Sequence, residues 1–194
     1  AIKAFRTEYE DDDLTFSLAS GPVGVMAATN EAVADSQDPM LFYVFGAVIL
    51  LCLLSFRSLR ATLSVVIPLY VVSVLAQALM TFLEIGLTVS TLPVIALGVG
   101  IGVDYGIYIL STMVVHIRAG DTIQAAYLAA LKERGSAVLF TGITLAIGVS
   151  TWVFSSLKFQ MDMGILLTFM FIVNMLGAII VLPAIAKLLW WTKK

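Results

Sequence analysis

Charge is what this sequence has least of. Of its 194 residues 12% are charged and 60% are hydrophobic, whereas soluble domains run at roughly 25% charged and about 45–50% apolar. That shortage excludes an ordinary water-soluble globule and points to a membrane protein. Cysteine is nearly absent too. Cys52 is single and lies in an apolar run, where a thiol acts as a small hydrophobe. With one histidine and no Cys/His cluster, neither a disulfide framework nor a metal site is expected. No basic patch carries interleaved aromatics, so nucleic acid is not an expected partner. No phosphate-binding loop is present, which argues against ATP use within this stretch. No cofactor is expected. The net charge of −2 decides little, because the charges are unevenly spread. The chain starts at Ala1 without a signal-like segment and reads as a piece of a longer polypeptide.

What is present is organised by hydropathy. Residues 1–39 are polar and hold eight of the thirteen acidic residues. Leu14–Ser20 alternates with the period of a half-buried strand, Gly21-Pro22 signals a turn, and Val23–Ser36 reads as an amphipathic helix. This resembles the tail of a soluble α+β domain joined to a membrane helix at Pro39. Five apolar runs follow, near 40–56, 62–83, 92–116, 136–156 and 164–186. Each approaches the roughly 17–25 residues that cross a hydrocarbon core. Arg57, Arg60, Arg118, Lys132, Arg134, Lys187, Lys193 and Lys194 fall on one side of these spans, against Lys158 alone in the opposite loops. The positive-inside rule makes the first side cytoplasmic. The N-terminal piece is then outside and the C-terminus inside, as an odd number of spans requires. Between spans three and four, Asp121 with Gln124 suggests a capping box. Ile123, Tyr127 and Leu131 recur at helical spacing, so a short amphipathic helix is expected over about 121–134, either lying on the membrane face or serving as a plain connector.

Asp104 is the anomaly. It sits eleven residues from Pro93 and twelve from His116, roughly 16–18 Å from either end of span three and so near the bilayer midplane. A carboxylate there costs about 2.5–3.5 kcal/mol, and such residues usually mark ion or proton pathways; a protonated Asp that only hydrogen-bonds a neighbouring helix is the structural alternative. Ala96, Gly100, Asp104 and Tyr108 share one i+4 stripe, and Gly98, Gly102 and Gly106 form a second about 200° away. Small residues at such spacing let helices approach closely. Span three is therefore expected at the centre of a bundle, packed on both sides. Tyr105 points about 100° from Asp104, where its hydroxyl could serve a carboxylate on a facing helix.

Span four carries Thr141, Thr144, Gly148 and Thr151 on one small polar face. Thr141 and Thr144 are candidates to hydrogen-bond Asp104 or a relay water, or else to bond carbonyls of their own helix. Asn174 in span five reads as interhelical glue, Pro68 and Pro183 as kinks, and His116 as an interfacial residue at a helix end. Enzymatic readings fail on spacing: Gly102-Val103-Asp104 is not the Gly-x-Gly-Asp of intramembrane aspartyl proteases, no second midplane carboxylate exists, and a serine mechanism lacks a membrane histidine.

Leu92–Ser111 (LPVIALGVGIGVDYGIYILS) resembles the fourth, or equivalently tenth, membrane helix of RND-superfamily exporters of the MMPL type. Leu50–Leu69 resembles their short cytoplasmic turn, and Ala137–Ile185 their last two helices. The resemblance implies an all-α membrane bundle of five transmembrane helices over 40–190. The end of an α+β periplasmic porter domain at 1–39 would precede it, and a cytoplasmic tail at 191–194 would follow. It implies proton-driven export of lipids or other amphiphiles across a bacterial inner membrane, with this chain forming one half, most simply the C-terminal half, of a twelve-helix transporter. Asp104 and Tyr105 would exchange protons with counterparts in the other half, which would be the chief partner besides the bilayer and the substrate; an oligomer is also open. The same five-helix unit resembles sterol-sensing domains. That leaves a second reading, a lipid-binding or regulatory membrane module without proton coupling.

Overall fold

The structure is a computed structural model that describes residues 21–86 and 91–191. Among the described residues it is wholly helical. The strand expected at Leu14–Ser20 lies outside them. Five helical rods are long and apolar enough to cross a membrane, so the chain is a multi-pass membrane protein.

Helix α1 (Pro22–Phe56) opens at Gly21, whose φ of 83° suits glycine, with proline in its first turn. It runs 35 residues without a break through Pro39. The expected amphipathic helix and the first span are therefore one rod of roughly 52 Å, longer than a hydrocarbon core of about 30 Å. Asn30, Glu31, Asp35 and Asp38 occupy its N-terminal part, so that part extends beyond the core. Its inner line is Val48, Cys52 and Phe56, at i, i+4 and i+8; Phe42 and Tyr43 on the same rod are exposed. The helix stops at Arg57, which takes a left-handed conformation and donates its N–H to Leu53 O at 2.8 Å.

Helix α2 (Leu59–Phe82) buries one stripe: Ala61, Val65, Leu69, Val72, Ala76 and Met80. Its enclosed hydroxyls, Thr62, Ser64 and Ser73, each bond the carbonyl four residues back on their own helix, so none requires an outside partner. Helix α3 (Leu92–Arg118) is the most enclosed rod and touches α1, α2 and the later helices. It is the centre of the bundle, as its glycine content predicts.

The next rod differs from expectation. Helix α4 (Ile123–Ala130), a π-helical turn (Leu131–Gly135), helix α5 (Ser136–Ser150) and a 3₁₀ turn (Thr151–Phe154) follow one another without a gap. The short helix between spans three and four is thus the start of span four. Its N-cap is Thr122, whose Oγ1 accepts from Ala125 N–H at 3.3 Å, and not Asp121, which turns to His116 instead. Ala126 and Ala130 are its fully buried residues. Small side chains there let α4 lie close on α3.

Helix α6 (Lys158–Leu176), a second π-helical turn (Gly177–Val181) and helix α7 (Leu182–Trp191) form the last rod. The π turn precedes Pro183, whose missing N–H leaves Ile179 O without its usual α-helical donor. Tyr127 of α4 supplies a substitute: its hydroxyl donates to Ile179 O at 2.8 Å. A residue of the connector thus caps a break in the last span.

Removing that hydroxyl while keeping the ring isolates the bond. Tyr127→Phe is expected to destabilise the bundle by about 1 kcal/mol, read as a lower unfolding midpoint in detergent, with faster hydrogen exchange concentrated at 177–184. An unchanged exchange pattern there would show that the bond carries no structural weight.

Candidate functional site

The candidate site is built on α3. Its inner face carries Gly98, Gly102 and Gly106. A side-chain carbon at Gly102 would lie 2.5 Å from Asn174 Cγ and 2.7 Å from Leu69, and one at Gly106 would lie 2.9 Å from Val65. At Gly98 it would run into Met170. These glycines let α2 and α6 reach the α3 backbone. Asn174 uses the access: its Nδ2 donates to Gly98 O at 2.8 Å within the buried core. Gly142 on α5 does the same for Met175, which is how α5 sits against α6.

The opposite face of α3 is open. Pro93, Leu97, Gly100, Asp104, Tyr108 and Val115 are exposed along it, and a side-chain carbon at Gly100 would meet nothing within 4 Å. This corrects the expectation of packing on both sides: the Gly98 stripe is packed and the Gly100–Asp104–Tyr108 stripe is not. Asp104 lies one residue from the centre of the helix, and its carboxylate has no hydrogen bond among the described residues. Tyr105 turns the other way. It is 1% exposed, and its hydroxyl is enclosed with no hydrogen-bond partner among the described residues. Adjacent residues on a helix diverge by about 100°, which puts the carboxylate outside this bundle and the phenol inside it.

Thr141 and Thr144 are exposed on α5. That helix packs chiefly on α6, with at most marginal contact to α3, so the fold does not bring the two threonines to Asp104. With Gly148 and Thr151 they form a second open, small and polar face. Among the described residues no group of three or more His, Cys, Asp or Glu could hold a metal ion.

The MMPL family profile matches residues 1–191. The chain belongs to the MMPL family. Among relatives of this MMPL chain, "Putative membrane protein MJ1562" of Methanocaldococcus jannaschii is 24% identical over 147 residues. The match takes in 76% of the chain and 38% of that protein. "Probable transport protein MmpL12" of Mycobacterium tuberculosis is 27% identical over 178 residues, or 87% of the chain and 15% of that protein. The MMPL chain therefore spans well under half of either relative.

One cluster near this helix has no counterpart in the sequence reading. His116, in the last turn of α3, has Nδ1 3.0 Å from Asp121 Oδ2 and Nε2 3.1 Å from Glu133 Oε1. An ionised carboxylate only accepts, so both contacts need a donor at each ring nitrogen, which imidazolium alone provides. The cluster ties the end of α3 to the loop and π turn of the next rod. Its members are five and seventeen residues apart along the chain, and only the Asp121 contact is close enough in sequence to be suspected from spacing.

Tyr105→Phe removes a buried hydroxyl that has no partner, so the variant should be as stable as the parent or more so, by up to about 1–3 kcal/mol; a lower unfolding midpoint would mean that the hydroxyl is satisfied. His116→Ala should speed hydrogen exchange across 121–135 while leaving α2 and α6 protected, and equal exchange in both proteins would show that the cluster ties nothing.

Proposed function

We propose that this chain is the membrane half of a proton-motive-force-driven RND exporter of lipids or other hydrophobic or amphiphilic molecules. The observation that carries the reading is Asp104: a carboxylate at the middle of the most enclosed rod, on that rod's one open face, with no partner among the described residues. A bare carboxylate at that depth facing acyl chains is costly. A second bundle against the Gly100–Asp104–Tyr108 stripe removes that cost and forms a site at the junction of two halves, where transporters of repeated architecture place coupling ions. The other half of the same transporter polypeptide is the partner this reading assigns. Family membership and the name carried by the mycobacterial relative support it.

In this reading Asp104 loads and releases the proton, and the Tyr105 hydroxyl, enclosed on the other side of α3, is a hydrogen-bond donor and acceptor that orients the relay without changing its own protonation. Thr141 and Thr144 serve the carboxylate of the opposing half, because their face is open rather than turned to Asp104. The proton-motive force supplies about 2.3 kcal/mol per charge per 100 mV to such a cycle. Residues 1–39 form the end of the periplasmic domain, residues 40–190 the membrane unit and residues 191–194 a cytoplasmic tail. The N-terminus lies outside and the C-terminus inside the bacterial inner membrane. Eight of the nine basic residues from Arg57 onward on the cytoplasmic side support that orientation.

A second reading, a sterol-sensing-like lipid-binding module without proton coupling, draws on an apolar groove of about 170 Å³ between α2 and the last rod, bordered by Pro68, Val72, Val173, Gly177 and Ile180. One experiment separates the two. In the full-length polypeptide, Asp104→Asn should abolish lipid export driven by an imposed proton gradient, with the protein still folded and inserted. Export that persists at the parent rate in Asp104→Asn sinks the relay and leaves the lipid-binding module.

A further inference from the structure

The end of the bundle that gathers the loop arginines holds an open depression of about 550 Å³. Arg57, Ser58, Leu59 and Arg60 of the α1–α2 turn form one side, and Trp190 of the last helix forms the other. The fold thus joins residues about 130 positions apart in the chain into one concave surface. The ion pairs at this end of the bundle link His116 to Asp121 and Glu133. Neither arginine has a carboxylate partner among the described residues.

Two guanidiniums lining one depression, neither paired with a carboxylate among the described residues, suit an anion, because each presents a planar fork of donors that matches two phosphate oxygens. Arg57 keeps its cationic side chain at a left-handed position, φ 49° and ψ 34°, where glycine is the low-cost residue. Ser58 makes no capping bond with its side chain, which leaves a hydroxyl for another acceptor. Lys187 stands three residues before Trp190, on the same face of the last helix, and adds positive charge. The rim is apolar. Leu59 is 68% exposed, and tryptophan at a membrane boundary offers an apolar body with one N–H donor.

We propose that this depression is a binding site for the headgroup of an anionic phospholipid. The phosphodiester sits between Arg57 and Arg60, Trp190 lies beside the glycerol region, and the acyl chains run along Leu59 and the neighbouring lipid-facing residues. Free inorganic phosphate shares the charge but has no use for the apolar rim. The site is distinct from the Asp104 face and does not depend on proton coupling.

The test uses the full-length polypeptide reconstituted in phosphatidylcholine vesicles with and without phosphatidylglycerol, with retained lipids counted by native mass spectrometry. Phosphatidylglycerol should be retained in preference to phosphatidylcholine. The double variant Arg57→Gln/Arg60→Gln should lower that preference about thirtyfold, and Lys132→Gln/Arg134→Gln, at the same end of the bundle, should leave it unchanged. Arg60→Lys keeps the charge but loses the fork, so it should lower the preference several-fold, and it serves if the double variant does not fold. The proposal is overturned if the unmutated protein shows no preference, or if both double variants lose it equally, since that marks a diffuse surface potential. Displacement of the lipid by millimolar inorganic phosphate also overturns it, by assigning the site to the free ion.

Discussion

The bundle depends on how closely α6 approaches α3. In lipid there is little hydrophobic drive between apolar helices, so association rests on close packing and on interhelical hydrogen bonds. Gly98 and Gly102 supply the closeness and Asn174 the bond, from its Nδ2 to Gly98 O. The two are inseparable. Asn174 reaches that carbonyl only because Gly102 has no side chain, and an unbonded amide in the core would be costly. The remaining packing follows from this seam: α2 fills the space beside Gly102 and Gly106 with Leu69 and Val65, and α5 is held at one remove, through α6.

That seam also explains the open face. With α2, α6 and α1 arranged around α3 and α5 displaced to the outside, nothing in the described chain is left to cover Gly100, Asp104 and Tyr108. The exposure of Asp104 is thus a consequence of which stripe of α3 carries the tighter glycines. The same arrangement separates the two members of the Asp-Tyr pair, so one helix presents a titratable group to each of two environments.

Much of this was legible in the sequence. Hydropathy located the five rods, and the spacing of Gly98, Gly102 and Gly106 marked the packed face of α3. Asn174 read as interhelical glue, and it is. The failures have physical reasons. Glycine at Gly100 looks the same in a sequence whether or not a neighbour uses the space, so packing was expected on both sides. Pro39 suggested a boundary, but a long helix loses one hydrogen bond at proline and continues. Asp121 had the right chemistry for an N-cap, yet His116 claimed it and Thr122 took the role. The Tyr127–Ile179 bond joins residues 52 apart, and no local pattern announces a contact of that kind. Thr141 and Thr144 shared a face, as read, but which helix that face addresses is a property of the assembly.

The continuity of α1 has a mechanical meaning. A rod of 35 residues runs from well beyond the hydrocarbon core to Phe56, capped by Arg57. No loop separates its polar end from the α1–α2 turn, and Pro39, which lacks one backbone bond, is where its hydrogen-bond ladder is weakest. Only 17% of its apolar stretch is buried, and what is buried, at Val48, Cys52 and Phe56, lies apart from the Gly98–Asn174 seam. The polar N-terminal segment and the α1–α2 turn are therefore two ends of one uninterrupted helix, so the geometry of each constrains the other.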